Sequence, residues 1–165
     1  MKVYALKGHG ERGKSTTLKK LIVNILDKFP SANIMYGYSA FNKHQILGEI
    51  NDERVLRRNT GAHCGVENIM VVIEISGKII GINTAGDSRW QVQDSMNLFS
   101  AYQCDIGFCA CRSKGETGKI LEQAYMPNME YVYKAEIRNA GSYKNFDDWL
   151  DLLNDWQADE LLQKI

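Results

Sequence analysis

An excess of charge of either sign is missing from this sequence. Twenty basic side chains stand against twenty acidic ones and the formal net charge is zero. The global balance therefore gives no argument for nucleic acid or an anionic membrane as a partner. Long hydrophobic runs are missing as well, since no apolar stretch approaches the roughly 20 residues of a membrane-spanning helix. No signal-peptide pattern precedes the first strand-like segment, so a cytoplasmic protein is expected. Proline is scarce, at two residues, and so is histidine, at three; His9 and His44 show no pairing with a base and a nucleophile. The four cysteines, Cys64, Cys104, Cys109 and Cys111, lack the C-x₂₋₄-C spacing of zinc sites. Cys109 and Cys111 alternate on a strand-like run and would share one side of a sheet. They are expected to be small buried apolar groups, reduced in an intracellular compartment, with a zinc site completed by His63 and Cys64 as the alternative. Internal repeats, low-complexity tracts and domain boundaries are absent too. With 165 residues, 44% of them apolar and 24% charged, the chain reads as a single domain over 1–165, large enough to bury about two-thirds of its unfolded surface.

What is present begins at the N-terminus. Lys2–Leu6 reads as a strand with Val3, Ala5 and Leu6 inward. Gly8-His9-Gly10-Glu11-Arg12-Gly13-Lys14-Ser15 follows, a full match to G-x-x-x-x-G-K-[ST]. Leu18, Leu21, Ile22, Ile25, Leu26 and Phe29 then form the apolar stripe of a helix that Pro30 stops. Strand, glycine loop and helix in that order are what a phosphate cradle needs. Glycine-rich backbone can curl until successive N–H groups converge on one anion, and the helix N-terminus adds unpaired N–H groups and partial positive charge. In such a loop Lys14 reaches the β- and γ-phosphates and the Ser15 hydroxyl ligates Mg²⁺, with Thr16 beside it.

Residues 1–29 resemble the opening unit of a P-loop nucleoside triphosphatase. The resemblance implies an α/β fold, a three-layer α/β/α sandwich with a mostly parallel sheet and one antiparallel hairpin strand. It also implies Mg²⁺–nucleotide binding, usually with hydrolysis or phosphoryl transfer.

Further along, Ile69–Ile75 and Lys78–Ile82 read as the arms of a β-hairpin about Ser76-Gly77. The second arm runs into Asn83-Thr84-Ala85-Gly86-Asp87-Ser88. This stretch resembles the switch region of Ras-like GTPases, where a hairpin leads into Asp-Thr-Ala-Gly. The resemblance implies that the Gly86 N–H faces the γ-phosphate, that Asn83 acts on a magnesium-bound water, and that Asp87 orients the attacking nucleophile or joins the metal's shell. Asn83 stands where the family carries Asp, so an aspartate there would be expected to be tolerated. Glu74 is the rival carboxylate. Asp105–Cys111 reads as a buried parallel strand that emits Arg112-Ser113-Lys114-Gly115. The guanine-reading Asn-Lys-x-Asp of the GTPases is absent there, which favours ATP over GTP. Arg112, Lys114 and Lys119 would cover a nucleotide, or form a surface turn.

The remaining stretches are read from pattern alone. Ile46, Leu47 and Ile50 read as a helical turn or two, and residues 52–58 as another. Arg54, Arg57 and Arg58 would clamp phosphates or form a solvated face paired with Glu49, Asp52 and Glu53. Residues 131–137 read as a last strand, and a terminal helix from near Asn145 would turn Trp149, Leu150, Leu153 and Trp156 to the core. Three functions are open: a Mg²⁺-dependent ATPase whose state is read by a protein partner, a kinase passing the γ-phosphoryl group to a nucleotide or other small molecule, and a nucleotide-binding module with little turnover.

Overall fold

Alternation of small and aliphatic residues builds the central strand. In Lys2–Gly8 (β1), Val3 and Ala5 pack against one helical layer, while Leu6 packs against the other. A computed structural model describes residues 1–10, 13–42, 45–50, 52–61, 67–135 and 146–165. Among them, β1 is followed by Lys14–Lys28 (α1), Asn33–Asn42 (β2), Gln45–Glu49 (β3), Glu53–Thr60 (α2), Asn68–Ile75 (β4) and Lys78–Asn83 (β5). Arg89–Ala101 (α3), Ile106–Arg112 (β6), Thr117–Tyr125 (α4), Met129–Tyr133 (β7) and Phe146–Leu162 (α5) complete the chain.

The strands form one sheet in the order β3-β2-β4-β5-β6-β1-β7. β1 runs parallel to β6 and β7, and β5 parallel to β6. The pairs β4–β5, β2–β4 and β2–β3 are antiparallel. β2 therefore points the same way as β1 without touching it, and two strands, β3 and β4, run against the rest. The expectation of one reversed strand is corrected at Gln45–Glu49, which is a strand and not a helical turn. Five residues before a helix cap carry no decisive period, and the edge of β2 supplies the partner that decides them.

Helices cover both faces. Leu18, Leu21, Ile22 and Ile25 of α1 are fully buried with Leu56 of α2, Ala158 and Leu161 of α5, and one face of the sheet. Each such aliphatic burial contributes about 1.5–3 kcal/mol. Val92 and Phe99 of α3 and Leu121 of α4 cover the other face, over Val3, Ala5, Cys109 and Cys111. The terminal helix departs from its expected orientation: Trp149 and Trp156 are exposed, and its buried residues include Asn154, Gln157, Ala158 and Leu161. Among the described residues, no helix is long and apolar enough to cross a membrane.

Register sets the position of the site. Gly8 is opposite Arg112, Asn83 opposite Cys109, and Lys7 opposite Tyr133, so the loops after β1, β5, β6 and β7 leave one edge of the sheet. The adjacent parallel strands β1 and β6 send their helices to opposite faces, α1 to one and α4 to the other. Such a switch point opens a crevice beyond the carboxyl ends of the strands, where open α/β sheets bind ligands.

Candidate functional site

The loop after β1 ends at Gly13, the N-cap of α1, which has φ +78° and makes no side-chain cap. That left-handed conformation suits glycine. Space makes the same demand, because a Cβ at Gly13 would lie 2.5 Å from Asn154 Oδ1. Asn154 also accepts a hydrogen bond from Thr17 Oγ1 at 3.1 Å, so α5 is fastened beneath the start of α1.

Lys14 is 5% exposed. Its Nζ donates to the His9 carbonyl at 2.6 Å and lies 3.4 Å from Asp87 Oδ1. The same carboxylate oxygen is 3.3 Å from Arg112 Nε. The head of α1, the loop after β5 and the end of β6 thus meet at one point, at the mouth of the crevice. A methyl placed on Gly10 would lie 3.8 Å from an Arg112 guanidinium nitrogen, so Arg112 also borders the loop. His9 Nδ1 is 3.2 Å from Ser113 Oγ, and the Ser113 N–H donates to the Gly8 carbonyl at 3.1 Å. Ser15 Oγ donates to the Glu67 carbonyl at 3.0 Å. Thr16 is exposed, whereas its neighbour Thr17 is buried. Glu11 and Arg12 lie outside the described residues, as do His44, His63 and Cys64.

The loop after β5 is built by its own side chains. Asn83, 1% exposed, donates through Nδ2 to the Gln91 carbonyl and to Ser95 Oγ, and accepts from the Ala85 N–H through Oδ1. Its amide is spent on holding the Asn83–Gly86 turn. Gly86 packs so tightly on the end of β6 that a Cβ would overlap the Ala110 carbonyl. The Asp87 and Ser88 N–H groups both donate to Gln91 Oε1, and Ser88 caps α3 in a reciprocal capping box. These contacts fix the loop that carries Asp87 toward Lys14.

Glu74 is set apart by register. It pairs with Asn33 and Ile79, at the edge of the sheet opposite the crevice. Arg57 is set apart as well, bonded to Asp27 at 2.7 Å and to Glu53 at 2.7 Å. Asp27 is near the far end of α1, roughly 20 Å from Lys14 at 1.5 Å rise per residue.

Burial pushes the Cys111 thiol up to about 11 although Lys7 and Lys14 draw it down, and burial with Asp105 takes Cys104 to about 11. Cys109, fully buried, is raised by the same cause. Cys104, Cys109 and Cys111 are buried in the layer beneath α3 and α4, and among the described residues no group of three or more His, Cys, Asp or Glu could hold a metal.

Thr17, Asn154 and Ser113 belong to the site although the sequence reading does not single them out. The signal for Asn154 was there: an amide four residues from Leu150, on a helix otherwise rich in aspartate and apolar residues. Comparisons with protein-family models, with curated proteins and with solved structures return no match.

Proposed function

We propose that the chain is a P-loop nucleoside triphosphatase that binds Mg²⁺–ATP and hydrolyses it. One observation carries the reading: Lys14 at the head of α1 and Arg112 at the end of β6 converge on one carboxylate oxygen of Asp87, from the loop after β5, at the crevice where the glycine loop enters α1. The Asp87 carboxylate holds the two cations that a triphosphate would hold in its place. Lys14 and Arg112 would bind phosphate oxygens, Arg112 through its planar fork. The backbone of Gly8–Gly13 and the uncapped head of α1 would supply N–H groups.

The donor set fits magnesium, which takes oxygen ligands and keeps several waters. Ser15 donates its proton to a carbonyl and keeps its oxygen lone pairs, and Asp87 brings an anionic oxygen. When bound, the ion would neutralise charge on the phosphates. Asp87 would orient the attacking water or accept its proton. Asn83 acts on the metal only through the turn it holds. ATP is preferred over GTP, because Arg112-Ser113-Lys114-Gly115 at the end of β6 carries no carboxylate in the place where the GTPases read guanine. A protein partner would read the nucleotide state from the Asn83–Ser88 loop.

Incubating the protein with Mg²⁺–ATP and following ADP, with and without a panel of nucleosides and nucleotides, tests this. ADP formed without an acceptor is the expected result. Formation that depends on an acceptor would make the protein a kinase, a reading favoured by the cleft that shares Arg112 with the loop. Binding without turnover would leave a nucleotide-binding module.

A further inference from the structure

Beside the glycine loop, on the face of the sheet away from α1, a cleft of about 450 Å³ is lined by Lys7, Arg112, Ser113, Lys119, Glu122 and Tyr131 among others. Lys7 precedes Gly8 on β1 and follows Val3 and Ala5 in the strand's alternation. Its ammonium lies 3.8 Å from the centroid of the Tyr131 ring and 5.9 Å from that of Tyr133. Among the described residues neither Lys7 nor Lys119 has a carboxylate within ion-pair distance. Glu122, in the same cleft, instead accepts the Tyr131 hydroxyl at 2.8 Å. Burial, together with that bond, raises the Tyr131 phenol above its ordinary range and keeps it a donor.

A half-buried lysine at the carboxyl end of a central strand, set against ring faces, is a cation arranged for an anion that the described residues do not provide. We propose that this cleft binds a phosphomonoester of a small polyhydroxylated molecule. Lys7, Lys119 and Arg112 suit a dianionic phosphate better than a single carboxylate. A volume of about 450 Å³ falls in the range of small-molecule sites and exceeds what a bare anion fills. Glu122 accepts hydroxyl donors from the organic body. Ser113 joins the cleft to the glycine loop through its contact with His9, so a bound ester would lie next to the nucleotide site. The inference goes beyond the nucleotide reading and does not depend on it, since Lys7 and Lys119 are not loop residues.

Calorimetric titration of ribose 5-phosphate, glycerol phosphate and AMP, each beside its dephosphorylated counterpart, tests it on wild type, Lys14→Ala, Lys7→Met and Lys119→Gln. At least one ester is expected to bind wild type and Lys14→Ala alike, and its dephosphorylated form about tenfold or more weaker. Lys7→Met is expected to weaken that ester by about tenfold or more, and Lys119→Gln by several-fold. Lys119 is exposed on α4, so its variant carries the test if Lys7→Met does not fold. No ester binding, equal binding without the phosphate, or unchanged affinity in the lysine variants overturns the proposal. Loss of ester binding in Lys14→Ala alone would place the anion in the glycine loop and overturn it too. Failure of the nucleotide reading shows separately, as ATP binding that ignores Lys14.

Discussion

Asp87 Oδ1 stands between Lys14 and Arg112, 3.4 Å from one and 3.3 Å from the other, and its replacement has two separable effects. Asp87→Asn removes the group that orients or deprotonates the nucleophile, and it also removes an anion that competes with phosphate for both cations. Turnover is expected to fall by about 10²-fold or more, the scale of general acid–base catalysis, while ATP affinity does not fall. Steady-state kinetics beside a binding titration check this, and normal turnover would remove Asp87 from the mechanism. Asn83 illustrates a residue whose place was legible and whose work was not. Its position after the hairpin follows from pattern, but two donated bonds, to Gln91 and Ser95, and near-complete burial change what substitution does. Asn83→Asp replaces a buried donor by a carboxylate facing the Gln91 carbonyl, and is expected to destabilise by about 2–3 kcal/mol instead of being tolerated. A lowered urea midpoint would show it, and an unchanged one would contradict it.

Among the elements, α1 and the β4–β5 hairpin follow directly from sequence. α1 has a continuous stripe with a proline after it, and the hairpin has two β-branched arms joined at Ser76-Gly77, both with positive φ. α5 does not follow. Its tryptophans invite an apolar inward face, yet Asn154 and Gln157 turn inward because they find partners there: Thr17 for the first, and the Tyr133 carbonyl and Ala135 N–H for the second. A buried polar face is invisible to hydrophobic periodicity, since its free energy lies in hydrogen bonds with distant segments. Asn154→Ala strips the fully buried Thr17 hydroxyl of its acceptor and is expected to destabilise by about 1–3 kcal/mol. Chemical denaturation checks it, and wild-type stability would mean that α5 is held by its apolar contacts alone.

At the scale of the molecule, the sheet order sets β6 between β1 and β5 and puts the crevice at the β1–β6 switch point. Beyond the β4–β5 hairpin, which strands neighbour one another was not legible, because adjacency arises from crossovers and not from local pattern. The buried layer beneath α3 and α4 gives a whole-chain test. Cys104 and Cys111 rise from 9.0 to about 11 through burial. Groups raised on folding contribute stability that is fully present below their unfolded value and lost as pH climbs through the folded one. Thermal stability is thus expected to fall between about pH 9 and 11, and a thiol reagent near pH 8 is expected to label no more than one of the four cysteines until the chain unfolds. Rapid labelling of two or more would contradict the packing. The central claim is that the Gly8–Ser15 loop holds a triphosphate through Lys14. Titrating Mg²⁺–ATP into wild type and Lys14→Ala, with folding of both verified by circular dichroism, tests it most directly. Saturable binding in wild type that falls at least about tenfold in the variant is the predicted result, and equal binding in both, or none in wild type, would contradict it.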